Sequence, residues 1–333
     1  KYTKEQSKAS IDDFIGKRKF YAHPKFKKEF CSDNVMGVYF PYVICDVNAT
    51  ASFNGQGEHE TRRYVEKHND KNETYYDADV YDVKRDFDVT ISNLSIEASA
   101  DKLERYSNKT NNIINSIMPF DVENSVTYNA NYLKGFSSEK RDVNVDELKP
   151  RIEKQAKDVA RYAANDSLEK YDRGVRWDNE ELTIKGTKYL TAYLPVWLYS
   201  YQQGKAGKNS LLHYIALNAR TGETMGSVPI NKPLLVGVSV IIEILALIAA
   251  LFLSIFVLDD SDESNYVWAL LVAGFLYYTM IFLRYRNTDA KHHHESETKR
   301  EVSNLVVADE FVTSKNHVQN ATIVGSNNMR VDG

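Results

Sequence analysis

Cysteine is nearly absent from this sequence. Among 333 residues there are two, Cys31 and Cys45, and they form no CxxC pair. Two isolated thiols cannot build a disulfide framework, and they argue against a zinc site within this chain. Phosphate-binding chemistry is missing as well. Gly204-Lys-Ala-Gly-Lys208 has neither the glycine spacing nor the Ser/Thr of a nucleotide loop, and reads as a hairpin turn. No Ser/His/Asp or Cys/His arrangement for nucleophilic catalysis stands out. A net charge of -4 gives no electrostatic reason to expect nucleic acid as a partner. The chain opens on Lys1 without a signal-peptide pattern, so a segment upstream is expected.

Long apolar runs, by contrast, are concentrated near the C-terminus. Leu234–Leu258 is apolar apart from Glu243 and two serines, and Tyr266–Leu283 carries no charge. At about 1.5 Å per residue each is long enough for a hydrocarbon core about 30 Å thick. The expectation is a two-helix transmembrane hairpin over 232–286, then a polar tail over 287–333. The linking loop holds Asp259, Asp260, Asp262 and Glu263 without Lys or Arg, while Lys232, Arg284, Arg286 and Lys291 flank the runs. This asymmetry places the soluble part and both termini in the cytoplasm. The six Asn-x-Ser/Thr matches, Asn72-Glu-Thr among them, then carry no meaning. Glu243 breaks the pattern of its run. A carboxylate inside a membrane helix must be protonated or partnered. Two readings stand: structural glue toward another helix or a neighbouring protomer of a homo-oligomer, with Tyr277, Tyr278 or Thr279 as donors, and a proton relay.

The remaining sequence reads as α+β. Tyrosine is plentiful, 22 residues against 14 Phe, which suits half-buried antiparallel sheet. Thr3-Lys-Glu-Gln6 has capping-box spacing for a helix ending at Gly16. Strands follow from Met36, with Asn54-Gly55 and Gly57 read as a turn. Tyr81, Val83, Phe87, Val89 and Ile91 alternate with Asp82, Lys84, Asp86 and Asp88, a strand with one wet face. The acidic run that also includes Asp77 and Asp79 belongs to that face and lacks the Gly and terminal Glu of a calcium loop. Asp101 and Glu104 open a helix striped by Leu103, Tyr106, Thr110, Ile113 and Ile117.

The second half repeats this order. Pro150 opens a helix lined by Ile152, Ala156, Val159, Ala163 and Leu168; strands follow at 182–184, 188–201 and 211–217, then a turn at 218–222 and a last strand over 223–228. VYFPYVI at 38–44 and AYLPVWL at 192–198 write one pattern twice. The fold class expected is therefore two similar helix-plus-antiparallel-meander units, 1–140 and 141–231, ahead of the hairpin. Tyr39, Pro41, Tyr193, Pro195 and Trp197 mark the equivalent strands and the place where the units meet, with each proline at an edge or bulge.

Lys17, Arg18, Lys19, Lys25, Lys27 and Lys28 interleave with Phe20, Tyr21 and Phe26. Two readings stay open: contact with anionic lipid headgroups, ahead of nucleic acid because the domain is tethered at a membrane, and a solvated linker whose aromatics tuck into the sheet. His292-His293-His294 reads as a juxtamembrane segment, since three adjacent histidines lack facing geometry and no carboxylate or Cys partner lies at a ligand spacing.

Thr3-Lys-Glu-Gln6, MGVYFPYVI at 36–44, YLPVWLYS at 193–200, ALNARTGETMGSVPINK at 216–232 and the apolar runs behind them together resemble the bacterial membrane-anchored zinc-ribbon proteins. These proteins are labelled "TFIIB-type zinc ribbon-containing" and, misleadingly, primosomal-helicase-like. The resemblance implies cysteine-rich ribbons binding Zn upstream of Lys1, with no cofactor in this chain. It also implies a bacterial cell-membrane location and partners of the flotillin-like (SPFH) or phage-shock type. A non-catalytic cytoplasmic adaptor in envelope stress is the favoured function. An enzyme using a cleft between the units, and a small transport or channel component built on the hairpin, are the alternatives.

Overall fold

A computed structural model describes residues 2–68, 71–99, 114, 117–203, 211–256, 268–286 and 293–319. In chain order its elements are α1 (Lys4–Gly16), α2 (Pro24–Glu29), β1 (Met36–His68), β2 (Lys71–Glu97), β3 (Phe136–Ser138) and α3 (Val145–Asn165). They continue with β4 (Val175–Gln203), β5 (Leu211–Asn218), β6 (Thr224–Gly226), α4 (Lys232–Phe256), α5 (Ala273–Arg286), α6 (His294–Glu297) and β7 (Lys299–Gln319). The expected succession of two α+β repeats and a hairpin is overturned. The chain is mostly antiparallel sheet, 45% of it, with few helices.

Each of its two compact units is assembled from three separate stretches. The first takes Lys1–Phe40, Asp101–Lys140 and Tyr193–His292; the second takes Pro41–Ala100, Arg141–Ala192 and His293–Gly333. The two Tyr-x-Pro runs fall where β1 and β4 leave one unit for the other, at Phe40/Pro41 and Ala192/Tyr193. They are not equivalent strands of a repeat. What they share is local: the Pro41 carbonyl accepts from Ala98 N–H at 3.0 Å, and the Pro195 carbonyl from Ala219 N–H at 3.1 Å.

In the first unit, Thr3 and Gln6 close the capping box of α1, and Ile11, Phe14 and Ile15 turn inward. They join Phe26 of α2, Trp197 and Tyr199 of β4, and Leu217 of β5 in one core. The C-terminal part of β4 pairs antiparallel with β5, from Val196 opposite Asn218 to Gln203 opposite Leu211, and β5 with β6. The start of β1 pairs parallel with β3.

The second unit is a set of long strands in the order β4, β1, β2, β7. β1 and β2 pair antiparallel from Tyr42 opposite Glu97 to His68 opposite Lys71. The turn expected at Asn54–Gly57 is instead the middle of β1. A Cβ on Gly55 would strike the Arg176 carbonyl, and one on Gly57 the ring of Tyr171 at 2.7 Å. These glycines admit close neighbours to a continuous strand, the other meaning of Gly in a strand pattern. α3 packs Ile152, Ala156 and Val159 against β2 and β7, but it starts at Val145, where Asn144 and Glu147 form a capping box, so Pro150 lies inside it. The helix expected after Asp101 and the turn at Gly204–Lys208 lie outside the described residues, apart from Ile117, which is buried.

The two apolar runs also differ from expectation. Among the described residues one helix, Lys232–Ser254 within α4, is long and apolar enough to cross a membrane. The second run forms a 3₁₀ turn at Trp268–Val272 followed by the 14 residues of α5. At about 1.5 Å per residue α5 covers only about 21 Å, short of a bilayer core.

Candidate membrane anchor

α4 has the composition of a core helix without the burial. Only 17% of its most apolar stretch is buried, and ten large apolar side chains between Leu234 and Phe252 are exposed, Ile241, Leu245 and Phe252 among them. The polar groups of the helix, in contrast, are satisfied inside the first unit. Ser239 Oγ donates to the Leu235 carbonyl at 2.8 Å, and Glu243 Oε2 accepts from Gly274 N–H at 2.7 Å. Among the described residues the donor to Glu243 is this backbone amide and not Tyr277, Tyr278 or Thr279. Tyr277 instead meets Tyr21, their hydroxyls 2.7 Å apart, while Thr279 Oγ1 donates to the Phe275 carbonyl at 2.9 Å.

The basic stretch gathers at one end of this helix pair. Asn231 N–H, just ahead of α4, donates to the Tyr21 carbonyl at 2.8 Å, and Val228 N–H donates to the carbonyl of Tyr285 at the end of α5 at 3.0 Å. Tyr285 donates in turn to the Arg18 carbonyl. The start of α4 and the end of α5 therefore share one collar, which holds Lys17, Arg18, Lys19, Lys27, Lys232, Arg284 and Arg286. Arg18 stacks 3.6 Å from the Phe14 ring centroid and donates to the Phe14 carbonyl, Lys17 pairs with Asp13 at 2.5 Å, and Lys27 donates to the Phe20 carbonyl at 3.1 Å. Lys25 faces Glu29 at 3.6 Å, and Lys28 is exposed.

The aromatics of this stretch divide by burial. Tyr21 and Phe26 are buried, as linker aromatics would be, whereas Phe20 is 65% exposed amid the cations. Burial and the neighbouring Tyr277 hydroxyl push the Tyr21 hydroxyl well above its ordinary pKa. A depression of about 650 Å³ opens beside the collar, lined in part by Lys17, Arg18 and Arg284.

Of the Tyr-x-Pro residues, the structure brings Tyr39 and Trp197 onto one ring. Phe136 of β3 lies 5.1 Å from Tyr39 and 4.7 Å from Trp197, and Gly37 has no Cβ to collide with it. Trp197 Nε1 donates to the Tyr2 carbonyl at 3.1 Å, and Tyr193 packs beside Tyr128. These contacts make the motif a core feature of the first unit.

No family model and no solved structure matches the chain. It is 21% identical over 199 residues to the "Uncharacterized protein YdjG" of Bacillus subtilis (strain 168). The match takes in 60% of this chain and 53% of the relative, so the chain spans about half the length of the curated protein it matches.

Sequence reasoning missed a second exposed apolar element. Lys299–Gln319, read as part of a polar tail, forms β7, which pairs antiparallel with β2 from Ser92 opposite Lys299 to Tyr75 opposite Gln319. Among the described strands β7 is the last in its order, and Val302, Leu305, Val306, Val307, Phe311 and Val312 are all exposed on it. The β-branched run Val302 to Val312 was the available signal. Arg85 anchors this strand from beneath. It is 1% exposed, donates to Asp309 at 2.6 Å, and donates from Nε to Ser167 Oγ at 2.8 Å.

Proposed function

We propose that this protein is a non-catalytic adaptor anchored in the bacterial cell membrane through α4, with its folded units on the cytoplasmic side. The observation that carries the reading is the exposed apolar surface of α4. Ten half-exposed aliphatic and aromatic side chains, at about 1 kcal/mol each in water, add up to about 10 kcal/mol, the size of a whole domain's net stability. In a bilayer that penalty disappears. The cationic collar at the root of the helix pair supports the orientation, since Lys and Arg gather on the cytoplasmic side and attract anionic headgroups. The partner is a protein, of the flotillin-like (SPFH) or phage-shock type, and β7 offers it an open strand edge.

Thiol labelling in intact cells tests the orientation. In a background carrying Cys31→Ser and Cys45→Ala, a membrane-impermeant maleimide should label Ser261→Cys and leave Ser137→Cys unlabelled until the cells are opened. The reverse pattern would place the folded units outside and end the cytoplasmic reading. Recovery of the chain in the soluble fraction after cell lysis would end the membrane reading itself.

A further inference from the structure

We infer that Asp158, His294 and Glu295 of the second unit form a binding site for a first-row divalent transition-metal ion, Zn2+ or Mn2+. Asp158 projects from α3, and the other two residues open α6, immediately before β7. His294 Nε2 lies 3.6 Å from Asp158 Oδ2 and 3.5 Å from Glu295 Oε1, and the three ligand atoms all lie within 4.8 Å of one another. The imidazole nitrogen is shielded from solvent and makes no hydrogen bond.

Those separations are too long for hydrogen bonds, which close to about 2.7–3.2 Å. They suit an ion between the groups, because ligands held about 2.1 Å from a tetrahedral centre stand about 3.4 Å apart. The surroundings are those of a metal site. Asp158 turns its other oxygen, Oδ1, toward Arg161 Nη1 at 2.8 Å, and Arg161 is itself forked onto Glu180 at 2.5 Å. The guanidinium is thereby neutralised by Glu180 while it fixes the Asp158 carboxylate, the orienting role that outer-layer partners play around metals. One imidazole and two carboxylates are a borderline donor set. It suits Zn2+ or Mn2+ better than Mg2+, which favours oxygen alone, and it leaves a position for water or a partner's donor. An ion here ties α3 to the root of β7, a joint otherwise made by Arg300, which reaches Asp166 at 2.6 Å.

The test uses the full chain in detergent micelles, stripped with chelator and dialysed against micromolar Zn2+ or Mn2+, with bound metal counted per chain. The site predicts one ion per chain, not displaced by millimolar Mg2+. Affinity should fall at least tenfold in His294→Gln and in Glu295→Gln, each checked for an unchanged circular dichroism spectrum. The double variant His292→Ala/His293→Ala should bind as the parent does. No bound ion in the parent overturns the assignment. Loss of the ion in the double variant with retention in His294→Gln overturns it too, by moving the binding to the neighbouring histidines.

Discussion

The backbone N–H of Gly274 donates to the side chain of Glu243 at 2.7 Å, a clasp between the two apolar helices. Gly274 sits just past the junction of the 3₁₀ turn and α5, where helix-start N–H groups lack intrahelical acceptors. A Cβ there would strike the Ser239 carbonyl and approach Glu243 Oε2 to 2.9 Å. Gly274→Ala should therefore separate the helices and open the clasp together. Glu243→Gln keeps a carbonyl acceptor and should stay near the parent, whereas Glu243→Leu should lose about 1 kcal/mol, the value of an interhelical hydrogen bond in a membrane. Thermal unfolding in micelles ranks the three variants. If Gln falls as far as Leu, an amide oxygen cannot stand in for the carboxyl and the glue reading is wrong.

Arg85 and Asp309 form the buried ion pair under β7, with side chains 1% and 16% exposed. Burial works against the Asp309 carboxylate, yet Arg85 and Tyr171 hold its pKa below the ordinary range. Arg85→Leu leaves that charge enclosed without its partner and should destabilise the second unit by about 3–5 kcal/mol. The double variant Arg85→Leu/Asp309→Leu should recover a large part of the loss. Denaturant titration monitored by the Trp177 fluorescence measures both, and equal losses in the two would show that the pair is not coupled.

Tyr76 gives the second unit an alkaline limit. It is fully buried, its hydroxyl donates to Glu58 at 3.0 Å, and burial followed by the Glu58 charge pushes its pKa up to about 12. A folded pKa above the unfolded value of about 10 stabilises the fold below pH 10, and that contribution drains away as pH rises from 10 towards 12. The denaturation midpoint should fall over this window, and Tyr76→Phe should flatten the fall. Tyr171, also raised by burial and by Asp309, leaves a residual slope. An unchanged slope in Tyr76→Phe would assign the limit elsewhere.

What the sequence disclosed was local. The Thr3–Gln6 capping box and the stripe Ile152, Ala156, Val159 are set by neighbours within a turn or two of helix, and both are present. Features fixed by distant chain segments were misread or missed. Gly55 and Gly57 signalled a turn because their real reason, the Arg176 backbone and the Tyr171 ring, lies far along the chain. Gly274 carried no signal at all until Glu243 was seen against it. His294 looked isolated because Asp158, which with the adjacent Glu295 faces its imidazole, lies on another element far along the chain. The Tyr-x-Pro match suggested a repeat because β1 and β4 meet a similar local requirement at similar prolines, while their neighbours differ: β1 lies beside β2 and β4 beside β5.

The edge of β7 is where the adaptor reading is most exposed to test. A long strand with apolar side chains bare along its length invites another strand, and natural proteins usually blunt such an edge with charge, proline or a bulge. Here Val306, Val307 and Phe311 are all more than half exposed. A partner strand added to this edge would cover them and take up the free backbone groups. Val306→Lys with Val312→Lys should cut co-purification of a flotillin-like partner at least tenfold, leaving membrane location and thermal midpoint unchanged. Hydrogen exchange supplies the geometric check. Amides of Val302–Val312 should exchange faster in the isolated chain than in the complex, while those of β1 stay protected in both. Full partner recovery by the double variant, or no added protection along β7, would remove this strand as the docking edge and leave the partner to another surface.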